Sequence, residues 1–134
     1  MSEESDLIPL DGLEFLESTD GRQYVFKVLP KDGRRPVHIL GNTLDASQVG
    51  AKLIQISQQA AKRLPEEDIQ EEFERIREAQ KEASIEATDF EILQDEQGNP
   101  GGLVVHTGHS CLVFTCPESR LRSLVNLLNQ ALKQ

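Results

Sequence analysis

The sequence predicts an α+β domain, an antiparallel sheet of five to six strands with three helices in the order β-β-β-α-α-β-β-β-α. Three observations carry that prediction. Apolar residues recur at three- and four-residue steps through residues 45–83 and again after Pro117, which is a helical period. Two dipeptides suited to tight hairpins, Asp20-Gly21 and Gly108-His109, each lie between β-prone runs. Pro65 falls between a stretch with few charges and a strongly acidic one, so the central helical region divides there.

The first helix is expected to open at Asp45, whose spacing from Gln48 is that of a capping box. Ala46, Val49, Leu53, Ile56, Ala60 and Leu64 then form one face, widened by Ile54 and Ala61. A stripe this broad calls for a sheet or another helix beneath it. In the second helix, residues 66–83, Ile69, Phe73, Ile76 and Ala83 make only a thin apolar line among many carboxylates. Acid at its start and base toward its end suit the helix dipole, and Glu71 is placed to pair with Arg75. Most of this helix must face water or a basic partner.

Residues 1–6 read as a flexible lead. If Asp20-Gly21 is a two-residue loop, Phe15 faces Phe26, Leu13 faces Val28 and Glu14 faces Lys27. Lys31, Arg34 and Arg35 make the most basic turn of the chain, but no glycine-rich loop opens a helix there, so it reads as solvated. Residues 37–40 form a third strand, closed by Gly41 and Asn42. After the helices, residues 87–93 form a strand and 94–102 a polar hairpin connection.

Gly108 and His109 set the register of the last hairpin, with His106 facing Cys111, Val105 facing Leu112, Val104 facing Val113 and Leu103 facing Phe114. Both faces of that hairpin are apolar. It therefore belongs in the middle of a sheet covered on both sides, or in a sheet whose second face meets another chain. The final helix carries Leu121, Leu124, Val125, Leu128, Ala131 and Leu132 on one face, for packing on the sheet. The two halves share a plan of hairpin, strand and helix without a residue-level repeat. One antiparallel sheet in a single domain over residues 1–134 is favoured over a duplication.

Bulk properties exclude several classes of function. The chain has 134 residues and a formal net charge of -9, with 37% hydrophobic and 28% charged residues. That charge opposes binding to phosphate backbones, and the absence of Trp leaves little for base stacking. No apolar run is long enough to cross a bilayer, and the acidic start lacks the features of a secretion signal, so a cytoplasmic location is expected. Cys111 and Cys116 are expected to be free thiols.

For chemistry, His106, His109, Cys111 and Cys116 are the best candidates, since imidazole and thiolate are sufficient ligands for zinc. Their parity counts against a shared site. Cys111 and Cys116 point to opposite sheet faces and His109 sits in the turn, leaving only His106 and Cys111 able to meet as a metal or nucleophile pair. No nucleotide-binding glycine pattern, zinc-protease helix or serine elbow occurs. Catalytic, cofactor and metal sites are therefore not assigned.

The reading that follows is a non-enzymatic, acidic protein-interaction module, such as an adaptor, chaperone or inhibitor, with Glu67, Glu71, Glu74, Glu78 and Glu82 meeting a basic protein surface. Direct nucleic-acid and membrane partners are not expected, and a homodimer is compatible. Three alternatives remain: a nuclease inhibitor that mimics nucleic acid, a self-assembling structural subunit, and a small metal- or thiol-dependent enzyme.

Overall fold

A computed structural model describes residues 7–133, so the lead over residues 1–6 lies outside them. The elements follow the expected order. Strands β1 (Leu10–Glu17), β2 (Gln23–Pro30) and β3 (Val37–Asn42) precede helices α1 (Ala46–Ala61) and α2 (Glu66–Glu82). Strands β4 (Asp89–Gln94), β5 (Pro100–His106) and β6 (Cys111–Thr115) and helix α3 (Glu118–Leu132) complete the chain.

The class is α+β, but the single sheet is not observed. Two separate three-stranded antiparallel sheets form, in the orders β1-β2-β3 and β4-β5-β6. Every ladder joins sequence neighbours through a short connection, which closes at little entropic cost, whereas a joint sheet requires pairing across the whole helical region. A hairpin, a strand and a helix do follow one another twice along the chain. The chain divides into two compact units, Met1–Val49 and Gly50–Gln134.

In the first unit the register is the one counted from the turn: Phe15 opposite Phe26, Leu13 opposite Val28 and Glu14 opposite Lys27. The two phenyl rings lie 6.3 Å apart. Lys27 Nζ is 3.8 Å from Glu14 on the other face. The turn itself differs. Ser18 N–H donates to the Gln23 carbonyl (2.9 Å) and Gly21 N–H to the Ser18 carbonyl (3.0 Å), so the loop spans Thr19–Arg22. A two-residue mirror turn needs positive φ at both Asp20 and Gly21, and only Gly21, at 73°, adopts it. The register survives because the loop grew by one residue on each side.

Asp20 is engaged locally instead. Its Oδ1 accepts from the Ser18 hydroxyl (2.7 Å) and from the Arg22 N–H (3.0 Å). The Ser18 hydrogen bond, then the Arg22 N–H, hold the carboxyl below its ordinary value of 3.8. The basic turn is structural: Arg34 pairs with Asp32 at 2.8 Å and its Nη1 donates to the Leu7 carbonyl at 3.0 Å. Ahead of α1, a 3₁₀ turn over Thr43–Asp45 is capped by Asn42, whose side chain accepts from Leu44 N–H at 2.9 Å. Asn42 thus takes the capping role expected of Asp45, because the chain turns into helix three residues earlier.

In the second unit the last hairpin has the expected register and turn, with Gly108 at φ 96° and Thr107 N–H donating to the Ser110 carbonyl at 2.9 Å. The connection before it is shorter than expected. Asp95 Oδ1 accepts from the N–H groups of Gln97 and Asn99, both at 2.9 Å, so β5 begins at Pro100. Sheet parity then separates two faces. Asp89, Glu91, Val104, His106, Cys111 and Val113 share one, and Phe90, Ile92, Leu103, Val105, Leu112 and Phe114 share the other.

Helix α3 packs on β5. Val104 and Leu121, 4% and 7% exposed, are the buried apolar residues among those described. Phe90, at 62%, and Phe114 are exposed on the alternate face, so that face is uncovered. The last hairpin therefore does not lie mid-sheet: β6 is an outer strand. Gly102 is buried where a Cβ would sit 2.6 Å from the Phe114 carbonyl oxygen and 3.2 Å from Leu93 Cδ1, whereas nothing approaches that position at Gly101.

Two predictions follow from these contacts. Gly102→Ala should destabilise the protein by about 1–3 kcal/mol in urea unfolding, and Gly101→Ala should not, because only the first forces a backbone oxygen to move. Equal effects would contradict the close approach. Asp20 has a lowered folded pKa, so its stabilisation is complete above the unfolded value and is lost as pH falls through the folded one. Asp20→Asn should therefore be less stable than wild type at neutral pH, with the gap closing in acid. A gap independent of pH would exclude an ionised Asp20 from the turn.

Candidate functional site

Helix α2 begins where Pro65, at φ -58° and ψ 140°, cannot continue the preceding helix but is followed by a free first turn. Asp68 N–H donates to the Pro65 carbonyl at 3.1 Å, and Glu66, Glu67 and Asp68 place negative charge at the positive end of the helix. Regular helix over the whole segment fixes which side chains share a face. Steps of three and four bring Glu67, Glu71, Glu74, Glu78 and Glu82 into one ridge. Ile69, Phe73 and Ile76 run along the opposite side.

Every residue of α2 is exposed, including Ile69 at 38%, Phe73 at 55% and Ile76 at 44%. Three pairs at i,i+3 tie acids to bases: Glu72 with Arg75, Glu74 with Arg77 at 4.0 Å, and Glu78 with Lys81 at 2.9 Å. Arg75 therefore turns to Glu72 and not to Glu71. Among the described residues, Glu67, Glu71 and Glu82 have no ion-pair partner, so three of the five ridge carboxylates are uncompensated. Exposed pairs of this sort are worth little to stability, typically under about 1 kcal/mol each.

Helix α1 presents a different surface. Its apolar stripe is not covered: Val49, Leu53, Ile54 and Ile56 are all exposed. Its polar positions are serine and glutamine, and Lys52 is its one charged residue. A groove of about 290 Å³ runs between Ala51, Ile54, Gln55 and Gln58 of this helix and Leu112, Val113, Phe114 and Thr115 of β6.

The histidine and cysteine candidates do not converge. His106 and Cys111 are cross-strand partners as counted, and Cys111 and Cys116 are free. The His106 imidazole is engaged on its other side, where Nε2 lies 2.9 Å from Glu91 Oε2 on β4. Among the described residues no group of three or more His, Cys, Asp or Glu side chains could hold a metal. Glu91 was missed in the sequence because its alignment with β5 depends on the Asp95 turn. Once Gln94 is known to pair with Pro100, Glu91 falls diagonally from His106.

No family model, curated protein or solved structure matches the chain. Among the described residues no helix is long and apolar enough to cross a membrane. The geometry of the exposed elements therefore carries the functional reading.

Because His106 turns toward Glu91, protein purified without a histidine tag should hold no stoichiometric zinc and should melt at the same temperature with and without chelator. A fall of several degrees in chelator would establish a structural metal.

Proposed function

We propose that the chain is a non-enzymatic protein-interaction module, and that α2 is the element it offers to a partner with an apolar groove set in a basic surface. The observation that carries this reading is the two-sidedness of an exposed helix. Ile69, Phe73 and Ile76 stand at the i, i+4 and i+7 positions that anchor a helix in a groove, and all three are exposed. A helix of this length gains most of its stability from packing of an apolar face, so an uncovered stripe favours a partner. The carboxylate ridge opposite would contribute differently.

Charge of one sign accelerates encounter with an oppositely charged surface at long range, while a desolvated aromatic anchor slows dissociation. Glu67, Glu71, Glu74, Glu78 and Glu82 are therefore assigned to steering, and Phe73 to holding. A net charge of -9 gives the whole molecule the same bias toward basic surfaces.

The test compares immobilised wild type, Phe73→Ala, and a triple variant with Glu71→Lys, Glu74→Lys and Glu78→Lys, first in lysate from the source cell and then with the purified partner. Wild type should retain a basic protein that both variants lose. In stopped flow, the triple variant should slow association at least about tenfold at low salt, and Phe73→Ala should speed dissociation at least about tenfold. Unchanged kinetics in both would remove α2 as the contact.

A further inference from the structure

The outer strands of the two sheets are not equally protected. β1 carries Asp11, Glu14 and Glu17 and shifts register between Leu10 and Gly12. β4 carries Asp89 and Glu91 and shifts register between Leu93 and Gln94. Charge and bulges of this kind keep an open strand from recruiting another. β3 includes Gly41, held under the Tyr24 ring, and Asn42, committed to its cap. Like β3, β6 has neither the charges nor the bulges of β1 and β4. It reads Cys-Leu-Val-Phe-Thr, without charge, proline or bulge.

The phase of its hydrogen bonding is fixed. Thr107 N–H donates to the Ser110 carbonyl and Cys116 N–H to the Gly101 carbonyl, each at 2.9 Å, so alternate residues beginning at Ser110 turn their backbone groups toward β5. The N–H and C=O groups of Cys111, Val113 and Thr115 consequently face outward. Val113 is 57% exposed. The groove beside them is lined by uncharged α1 residues except Lys52, and no carboxylate enters it.

We propose that β6 pairs antiparallel with β6 of a second copy about a two-fold axis through Val113. Val113 then faces its own equivalent, Cys111 faces Thr115, and Leu112 faces Phe114. All the outward N–H and C=O groups of Cys111, Val113 and Thr115 fall in hydrogen-bonded pairs. Leu112 and Phe114 fall in the alternate pairs, where side chains approach most closely. Neighbouring two-fold registers are worse. An axis through Leu112 sets Thr115 against His109 in the turn, and one through Phe114 sets Cys111 against Pro117, which has no N–H to give.

The second copy is the occupant because the edge is complementary to itself. A molecule of charge -9 meets its like with least repulsion where acid is absent, and the β6 edge with its α1 flank is such a surface. Depletion of charge is also what marks the centre of an interface. The axis stands perpendicular to the sheet, so the two three-stranded sheets become one continuous sheet with like faces aligned. This interface is independent of the role assigned to α2.

Sedimentation of the full chain at micromolar concentration should give twice the 15.0 kDa chain mass for wild type. Val113→Lys and Thr115→Lys should each give the single-chain mass with an unchanged circular dichroism spectrum, and Val113→Thr should remain dimeric. In a background of Cys111→Ser and Cys116→Ser, Val113→Cys should cross-link to its equivalent with a short bis-maleimide, and Leu40→Cys on β3 should not. A wild-type monomer at about 100 μM, a dimer indifferent to both lysine variants, or cross-linking through the Leu40→Cys variant alone would overturn the proposal.

Discussion

The packing of α3 on β5 is the contact on which the second unit depends, since Val104 and Leu121 are the apolar residues it takes out of water. Complete burial of one aliphatic side chain contributes only about 1.5–3 kcal/mol. Ordering the backbone costs about 1–2 kcal/mol for every residue fixed. The meander of β4, β5 and β6 therefore holds its shape through local turns and ladder hydrogen bonds, with α3 pinning the middle strand from one side. On the face carrying Leu103, Val105 and Leu112, the side chains of Phe90, Ile92 and Phe114 are left exposed.

The first unit has the same three-stranded meander, and among its described residues none is buried. Leu13, Phe15, Phe26, Val28, Val37 and Ile39 share one face of its sheet, and the central strand is half-buried while the outer two are exposed. Three strands with an apolar face are about the minimum for independent stability, and here that face is open. Uncovered stripes on α1 and α2 point the same way. Residues that in a self-contained domain would form the core are thus exposed, while carboxylates are grouped on α2 and Lys52 is the one charged residue of α1.

Much of the secondary structure was legible because the signals were local. Pro65 and Pro117 marked helix starts, and Gly108 set both a turn and a register that placed His106 opposite Cys111. Counting from Asp20-Gly21 gave the right partners through the wrong turn, since a symmetric lengthening of the loop leaves parity unchanged. Coverage was not legible. The stripe of Leu53 and Ile56 has the period of a packed helix, and period alone does not say whether the packing partner lies in the same chain. The same limit produced the single sheet, because alternation identifies strands and not which edges join. The five glutamates on one face of α2 were readable once the helix was assigned. The Glu91 contact to His106 was not, because a side-chain turn at Asp95 set that register.

The central claim is that the open surfaces of this chain are completed by other chains, and amide hydrogen exchange tests it strand by strand. The N–H groups of Cys111, Val113 and Thr115 should exchange slowly in concentrated protein and accelerate on dilution, while those of Leu112 and Phe114, bonded to β5, change little. Exchange at the rate of an open strand edge at every concentration would contradict it.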